Sequence, residues 1–519
     1  MTADQILAID VGTQSVRAIV FDARGTVIGH ARIPIEPYVS PRPGWAEQDP
    51  DLYWRAIGSA CAALWSAGAA RREAIAGIAL TTQRSTVVVT DADGMPLRPA
   101  IVWLDQRRAD NVAPIGGLNG LAFRALGVRR TVAAFQADCE ANWLRANEPA
   151  VFARIERYLL LSGFLSHRLT GRFVDSVASQ VGYLPFDYKR HAWARAGDWR
   201  WTAAPIERDW LPDLVPPGGR LGELTAEAAV VLGLPAGTPV ISAAADKACE
   251  VLGSGALEPH IGSLSYGTTA TINTTQRRYV EAVPLVPPYP SAVPGWHSLE
   301  VQVYRGYWLV DWFKRQFGAA EVAQAESLGI AAEALFDDLV RSTEPGALGL
   351  MIQPTWSPGV RVPGPEAKGA MIGFGDVHTR AHLYRAILEG LAYALREGGE
   401  RAASRAHVPL RELRVSGGGA QSRSAVQLTA DIFGLPTGRP HTHETSGLGA
   451  AIDAAVGLGL HPTFETAVGE MTRVVETFDP DPDRQRLYDQ LYRRVYQKMY
   501  ARLKPLYEDI MAITGYPPS

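Results

Sequence analysis

A short apolar strand, a tight Gly-Thr turn and a second apolar strand occur twice in this chain, and the repeat constrains the fold more than any other feature. The first copy, Ile6–Arg17, reads ILAIDVGTQSVR; the second, Ile261–Asn273, reads IGSLSYGTTATIN. The apolar runs are β-type and the glycine permits a sharp reversal, so each copy predicts a hairpin with a polar tip. Around the first tip stand Asp10, Gly12, Thr13, Gln14, Ser15 and Arg17; the second carries Gly267, Thr268 and Thr269. Glycine admits close backbone approach, and successive N–H groups with Thr and Ser hydroxyls form an anion nest. Arg17 adds a forked charge suited to phosphate. Asp10 only accepts, so beside phosphate it suits Mg²⁺ held through water. One copy alone reads equally well as an ordinary hairpin. Two copies imply two domains of related build offering their turns to one phosphate chain.

At 519 residues the chain exceeds a single core, which agrees with the duplication. The expected division is an N-terminal domain over 1–253, a C-terminal domain over 254–460 and a helical tail over 461–519. A formal net charge of −3 points to neither a nucleic-acid nor a membrane partner. Cys61, Cys139 and Cys249 lack metal or redox spacing, and the N-terminal stretch enters a strand without a basic-then-apolar leader. A cytoplasmic protein is expected; a homodimer is left open.

In chain order, Asp49-Pro50-Asp51 starts an amphipathic helix through Trp65. Ile75–Leu80 is a strand ending at Gln83 and Arg84, and Pro99–Trp103 is an extended segment ending near Asp105. Gln83, Arg84, Trp103 and Asp105 together offer donors, acceptors and an aromatic face, as one wall of a pocket for a polyhydroxylated ligand would. Ala137–Leu169 reads as helical, with Leu159 to Leu161 among its apolar stations. Thr238–Ala245 is a buried small-residue strand running into Asp246-Lys247. A carboxylate at the carboxyl end of such a strand suits a general base, and equally a helix N-cap. Lys247 pairs with a neighbouring carboxylate or touches substrate, the first being preferred. Leu413–Ser416 enters Gly417-Gly418-Gly419-Ala420-Gln421, a loop that leaves room for a flat ligand but lacks a P-loop lysine. Glu444–Gly459 is a small-residue helix able to pack closely, and Phe478–Ile510 a long amphipathic tail bent at Pro505.

Taken together, AIDVGTQSVR (Ala8–Arg17), TTQRSTVVV, PAIVWLDQR, the Asp246 segment, YGTT, KGAMIGF with HLYRAILEG, VSGGGAQS and SGLGAAIDAA resemble the FGGY family of carbohydrate kinases, in family order across nearly the whole chain. The resemblance implies an α/β fold of two ribonuclease-H-like domains, as in the actin/hexokinase/Hsp70 superfamily, around a central cleft. It further implies ATP with Mg²⁺, a small sugar or polyol as phosphate acceptor, and Asp246 as catalytic base. Asp10 matches the metal-side aspartate, while Gly12, Thr13, Gln14 and Arg17 match the first phosphate turn. Gly267, Thr268 and Thr269 match the second, and Gly418, Gly419 and Gln421 fall in the adenosine loop. Gln83, Arg84 and Trp103 are similar to the glycerol kinase branch, with Phe135 where that branch has a tyrosine. Ser85 stands in place of that branch's glutamate, Glu140 in place of a frequent lysine, and Lys247 where Gln or Asn is usual. These departures favour a tetritol, pentitol or pentulose over glycerol. Glycerol kinase proper and a catalytically silent nucleotide- and sugar-binding regulator are the alternatives.

Overall fold

The computed structural model describes residues 3–283, 286–330, 332–357 and 363–516. The sequence over Pro345–Gly369 predicts a strand followed by a Pro/Gly loop, and part of that loop lies outside the described residues. The first hairpin pairs β1 (Gln5–Val11) with β2 (Ser15–Phe21), placing Asp10 directly opposite Arg17. With β3 (Val27–Pro34), β4 (Ile75–Thr82), β5 (Arg220–Glu223) and β6 (Pro239–Ser242) they form a sheet in the order β5-β6-β4-β1-β2-β3. β1–β4 and β4–β6 are parallel, and the outer pairs antiparallel.

The second hairpin, β7 (Ile261–Tyr266) with β8 (Ala270–Gln276), repeats this plan. β9 (His297–Val303), β10 (Glu412–Ser416), β11 (Thr437–Pro440) and β12 (Val474–Phe478) complete a sheet in the order β9-β8-β7-β10-β11-β12, edged by Tyr289–Pro290 beside β9. Again the two inner pairs β7–β10 and β10–β11 are parallel and the rest antiparallel. Strand for strand the two sheets match, so the repeat seen in two short motifs extends to whole sheets.

Helices cover each sheet. α1 (Pro50–Ser66) begins where Asp49 accepts from the Asp51 amide and Pro50 needs no donor, and it lays Tyr53, Ile57 and Leu64 on β2 and β3. α3 (Arg380–Ala406) occupies the equivalent place on β8 and β9. α2 (Asp246–Gly253) and α5 (Thr445–Gly457) cross in backbone contact. A Cβ on Gly449 would sit 1.9 Å from the Cys249 carbonyl oxygen, and one on Gly253 2.0 Å from that of Thr445. Only glycine fits at these two points, which explains the small-residue composition of α5. α5 also rests on β1 and β4, so a helix late in the chain locks onto the first sheet.

Two expectations change. Arg157–Leu160 is a strand, paired with Val87–Thr90 in a separate small sheet; Leu159 was expected to be helical. An uninterrupted apolar run carries neither period, and pairing with three consecutive valines settles it as strand. The segment after residue 460 is not wholly helical either, because Val474–Phe478 adds β12 at the edge of the second sheet. The terminal helices start at Pro482 behind the Asp481 cap, and α-helical geometry continues through Pro505 after a π-turn at Tyr492–Tyr496. Among the described residues no helix is long and apolar enough to cross a membrane.

Candidate active site

At the first turn the Gly12 amide donates to the Ser15 carbonyl at 3.0 Å, closing the corner. Thr13 is fixed from two sides: its hydroxyl donates to Gln83 Oε1 at 2.7 Å and accepts from Trp103 Nε1 at 2.9 Å. Gln83 is buried, and its Nε2 donates to the Tyr53 hydroxyl at 3.0 Å. Both ends of this amide are therefore used internally, and Gln83 sets the turn against α1. Trp103 is 40% exposed and spans from the turn toward solvent, as a pocket wall requires. Gln14, at the tip, is exposed.

Asp10 is buried beneath this turn and takes Arg17 Nη1 at 2.7 Å; Arg17 Nε lies 3.5 Å from Glu444 at the start of α5. Burial pushes the Asp10 carboxyl up to about 6, and Asp246 and Glu444 add to the rise while Arg17 opposes it. Glu444, which follows β11 as Asp246 follows β6, drew no attention in the sequence because nothing local marks it.

The second turn is held by the start of the helix Trp308–Phe317 and its cap: the Gly267 and Thr268 carbonyls accept from the Tyr307 and Trp308 amides at 3.1 and 3.4 Å, and Thr269 Oγ1 donates to the Tyr304 carbonyl. Thr268 is exposed at the tip. In the glycine loop after β10, Gly417 has φ +84° against the Tyr266 backbone. A Cβ on Gly419 would meet the Tyr307 ring at 2.4 Å, whereas Gly418 faces open space. Gln421 is exposed beside it, and Ser422 caps the following helix, α4 (Arg423–Phe433). The loop offers an uncovered backbone face flanked by the stacked rings of Tyr266 and Tyr307, 4.4 Å apart.

Asp246 stands at the carboxyl end of β6 as the first residue of α2. Ala245, not Asp246, is the cap, and among the described residues the carboxylate accepts only the adjacent Lys247 amide, at 2.7 Å. It is partly exposed, unlike Ala243, Ala244 and Ala245 before it. Burial raises its affinity for a proton, and the charges of Arg84 and Lys247 pull the other way. Lys247 donates to Glu250 Oε2 and to Ser265 Oγ, each at 2.7 Å, and Glu250 Oε1 accepts from Ser416 Oγ at 2.7 Å. Lys247 thus has the structural role preferred from the sequence. It ties α2 to the ends of β7 and β10.

Arg84 finds its carboxylate on the second sheet. Its Nη2 donates to Glu300 Oε1 on β9 at 3.0 Å, and its guanidinium lies over the Tyr289 ring at 5.0 Å. Ser85, with φ +56°, instead donates to the Val181 carbonyl at 2.9 Å. Sequence reasoning missed Glu300, since a partner more than 200 residues away has no local signal. Arg84, Lys247, Glu300, Ala245 and Tyr289 line one small cavity at the head of α2. Phe135 stands back from it, edge-on to Tyr183 at 5.3 Å; a Cβ on Gly182, the residue before that tyrosine, would approach Ser85.

Asp105 is not part of the wall. Its two oxygens take the Ala46 amide and a forked Arg107, whose guanidinium also reaches Glu47 and stacks 4.0 Å over Trp45. Those bonds exhaust it as a ligand-facing group.

Two duplicated sheets whose corresponding Gly-Thr corners accompany a carboxylate at a strand end define an α/β phosphotransferase of the actin/hexokinase-like build. The N-terminal domain of the FGGY family of carbohydrate kinases matches residues 5–253, and its C-terminal domain residues 262–458. The chain belongs to that family, and it is an ATP-dependent kinase acting on a sugar or polyol. An uncharacterized sugar kinase, YgcE, of Escherichia coli K12 is 29% identical over 96% of this chain and 94% of its own length. The xylulose kinase of Staphylococcus epidermidis RP62A is 29% identical over 99% of this chain and 100% of its own. The crystal structure of xylulose kinase from Rhodospirillum rubrum superposes with a TM-score of 0.81 at 29% identity, covering 97% of this chain and 100% of that one. A catalytically silent regulator is thereby set aside.

Proposed function

We propose that this kinase transfers the γ-phosphate of ATP to a hydroxyl of a four- or five-carbon polyol or ketose, with a pentulose as the leading substrate and Asp246 as the base. The observation that carries this is Asp246 itself: a partly exposed carboxylate with, among the described residues, no cation bonded to it, at a strand end beside the Arg84–Glu300 pair. In this reading Arg84, Glu300 and Trp103 contact the sugar, with Phe135 behind them and Gln83 positioning the turn. The acceptor oxygen attacks the γ-phosphorus in line as the bond to the β–γ bridging oxygen breaks, and Asp246 takes the hydroxyl proton. Thr13 and Gln14, beside Gly12 and Arg17, offer backbone N–H groups to the phosphate chain on one side, and Gly267, Thr268 and Thr269 offer theirs on the other; the Gly12 amide and the Thr13 and Thr269 hydroxyl protons are spent within the turns. Adenosine lies on Gly418 and Gly419 beside Gln421.

Mg²⁺ fits this arrangement in one manner. Among the described residues no group of three or more His, Cys, Asp or Glu could hold a metal. Asp10 is a buried carboxylate with a raised proton affinity among other acids, which a cation would relieve. Asp10 would hold it through water, the remaining ligands being phosphate oxygens, and the ion supplies charge neutralisation on the transferring group.

The pentulose preference rests on two features. Ser85 and Glu300 rearrange the carboxylate beside Arg84 relative to the glycerol kinase pattern, and the full-length relative from S. epidermidis is named a xylulose kinase. The test is ADP release with a panel of D-xylulose, D-ribulose, xylitol, erythritol and glycerol. A pentulose giving the highest kcat/KM supports the proposal; glycerol giving it, or no sugar-stimulated release, defeats it. Asp246→Asn retaining full turnover would remove the base assignment.

A further inference from the structure

A second and larger cavity, of about 600 Å³, adjoins the sugar-side one. Its lining includes Val177, Lys189, His191, Arg208 and Leu214 from the N-terminal half and Pro290 from the other. Pro290 is the one residue lining both cavities. No carboxylate lines the larger one, while Lys189, Arg190 and Arg208 are exposed and, among the described residues, form no ion pair. The nearby Asp187 is engaged instead with the backbone amides of Lys189 and Arg190, at 3.1 and 3.3 Å. Three lining cations against the single nearby charge of Asp187 leave this concave surface net positive, and a bound anion would offset that charge. The volume suits a small metabolite, and arginine forks suit phosphate.

The cavity is wired to the site beside it. Val177 lines it; the next residue, Ala178, lines the sugar-side cavity, and its carbonyl accepts from the Ala245 amide at 3.2 Å, immediately before Asp246. His191 Nε2 and His297 Nδ1 lie 3.1 Å apart, joining this lining to β9, which carries Glu300.

We propose that this cavity binds a small phosphorylated organic anion, and that its occupancy alters sugar binding through the Val177–Ala178 segment and through β9. The second clause rests on the assignment of Asp246 and Glu300 to the sugar site. The test uses full-length enzyme saturated with Mg²⁺ and a non-hydrolysable ATP analogue, so that the triphosphate site proposed above is filled. Calorimetric titration with 3-phosphoglycerate, with glucose 6-phosphate and, in a separate arm, with inorganic phosphate distinguishes an organic anion from free phosphate. At least one organic phosphate should bind, and the double variant Lys189→Ala/Arg208→Ala should bind it about tenfold or more weakly. The same anion should change the sugar KM by about fivefold in the wild type and leave the double variant unaffected. Basal kcat and Tm of that variant should stay at wild-type values, since both side chains are exposed and unpaired. Binding of inorganic phosphate alone, binding unaffected by the double substitution, binding without any change in sugar KM, or no binding at all would each overturn the proposal. Failure of the Asp246 assignment would appear separately, as full turnover by Asp246→Asn.

Discussion

Glu300→Gln is the most informative single perturbation of the sugar site. The wild-type pair is nearly sealed, with Glu300 2% and Arg84 16% exposed at the side chain and 3.0 Å between them. Breaking a buried pair by neutralising one partner costs about 3 to 5 kcal/mol, because the other charge is left buried. Here Arg84 keeps the Tyr289 ring beneath it, worth about 1 kcal/mol, and feels the charge of Asp246. The expected loss is therefore about 2 to 3 kcal/mol, a fall in Tm of roughly 4 to 12 °C for a domain of this size. The same change has a kinetic signature. With its partner neutral, Arg84 acts more strongly on Asp246 and lowers its proton affinity, so the base is weaker and the acid limb of kcat/KM moves to lower pH. Differential scanning calorimetry together with a pH profile of sugar kcat/KM reads both effects. An unchanged Tm with an unchanged acid limb would refute the coupling of Glu300, Arg84 and Asp246.

Asp246→Asn should lower kcat about 10²- to 10⁴-fold with little change in Tm, measured by coupled ADP assay. Gly419→Ala should raise the KM for ATP while sparing the sugar KM, since the added methyl would strike the Tyr307 ring that flanks the loop. For Asp10 the folded carboxyl is raised to about 6 from 3.8, so ionisation opposes folding fully above pH 6 and not at all below 3.8. Asp10→Asn should therefore stabilise the ligand-free protein by up to about 3 kcal/mol at pH 7.5, fading toward pH 4, while kcat with Mg-ATP falls. Lys247→Met removes the partner that lowers the Glu250 carboxyl below 4.5. The wild type draws stability from that pair above pH 4.5 and loses it as pH falls further, so the Tm deficit of the variant should be largest near neutrality and shrink in acid.

Much of this organisation was legible in the chain because its signals are local. Both hairpins announce themselves by β-type runs broken at a glycine, and Asp246 by small residues leading into it. A neighbouring carboxylate was expected for Lys247, and the structure identifies it as Glu250 one helical turn on. What escaped depends on distance in sequence. Glu300 and Glu444 acquire meaning only when the second half folds against the first. Arg157–Leu160 has an apolar run without a period, and its strand state comes from the valines it pairs with. Asp105 carried the right chemistry for a ligand, yet Arg107 two residues on takes both its oxygens. Val474–Phe478 sits among helices in sequence, and its strand state follows from pairing with the open edge of β11.

The central claim is that both Gly-Thr corners grip one triphosphate while Asp246 faces the acceptor alcohol. A crystal structure with a non-hydrolysable ATP analogue, Mg²⁺ and the preferred sugar tests it most directly. The account predicts phosphate oxygens against the amides of Thr13–Gln14 and Gly267–Thr268, and a sugar hydroxyl within about 3 Å of Asp246. A triphosphate held by one corner only, or a sugar bound away from Asp246, would contradict it.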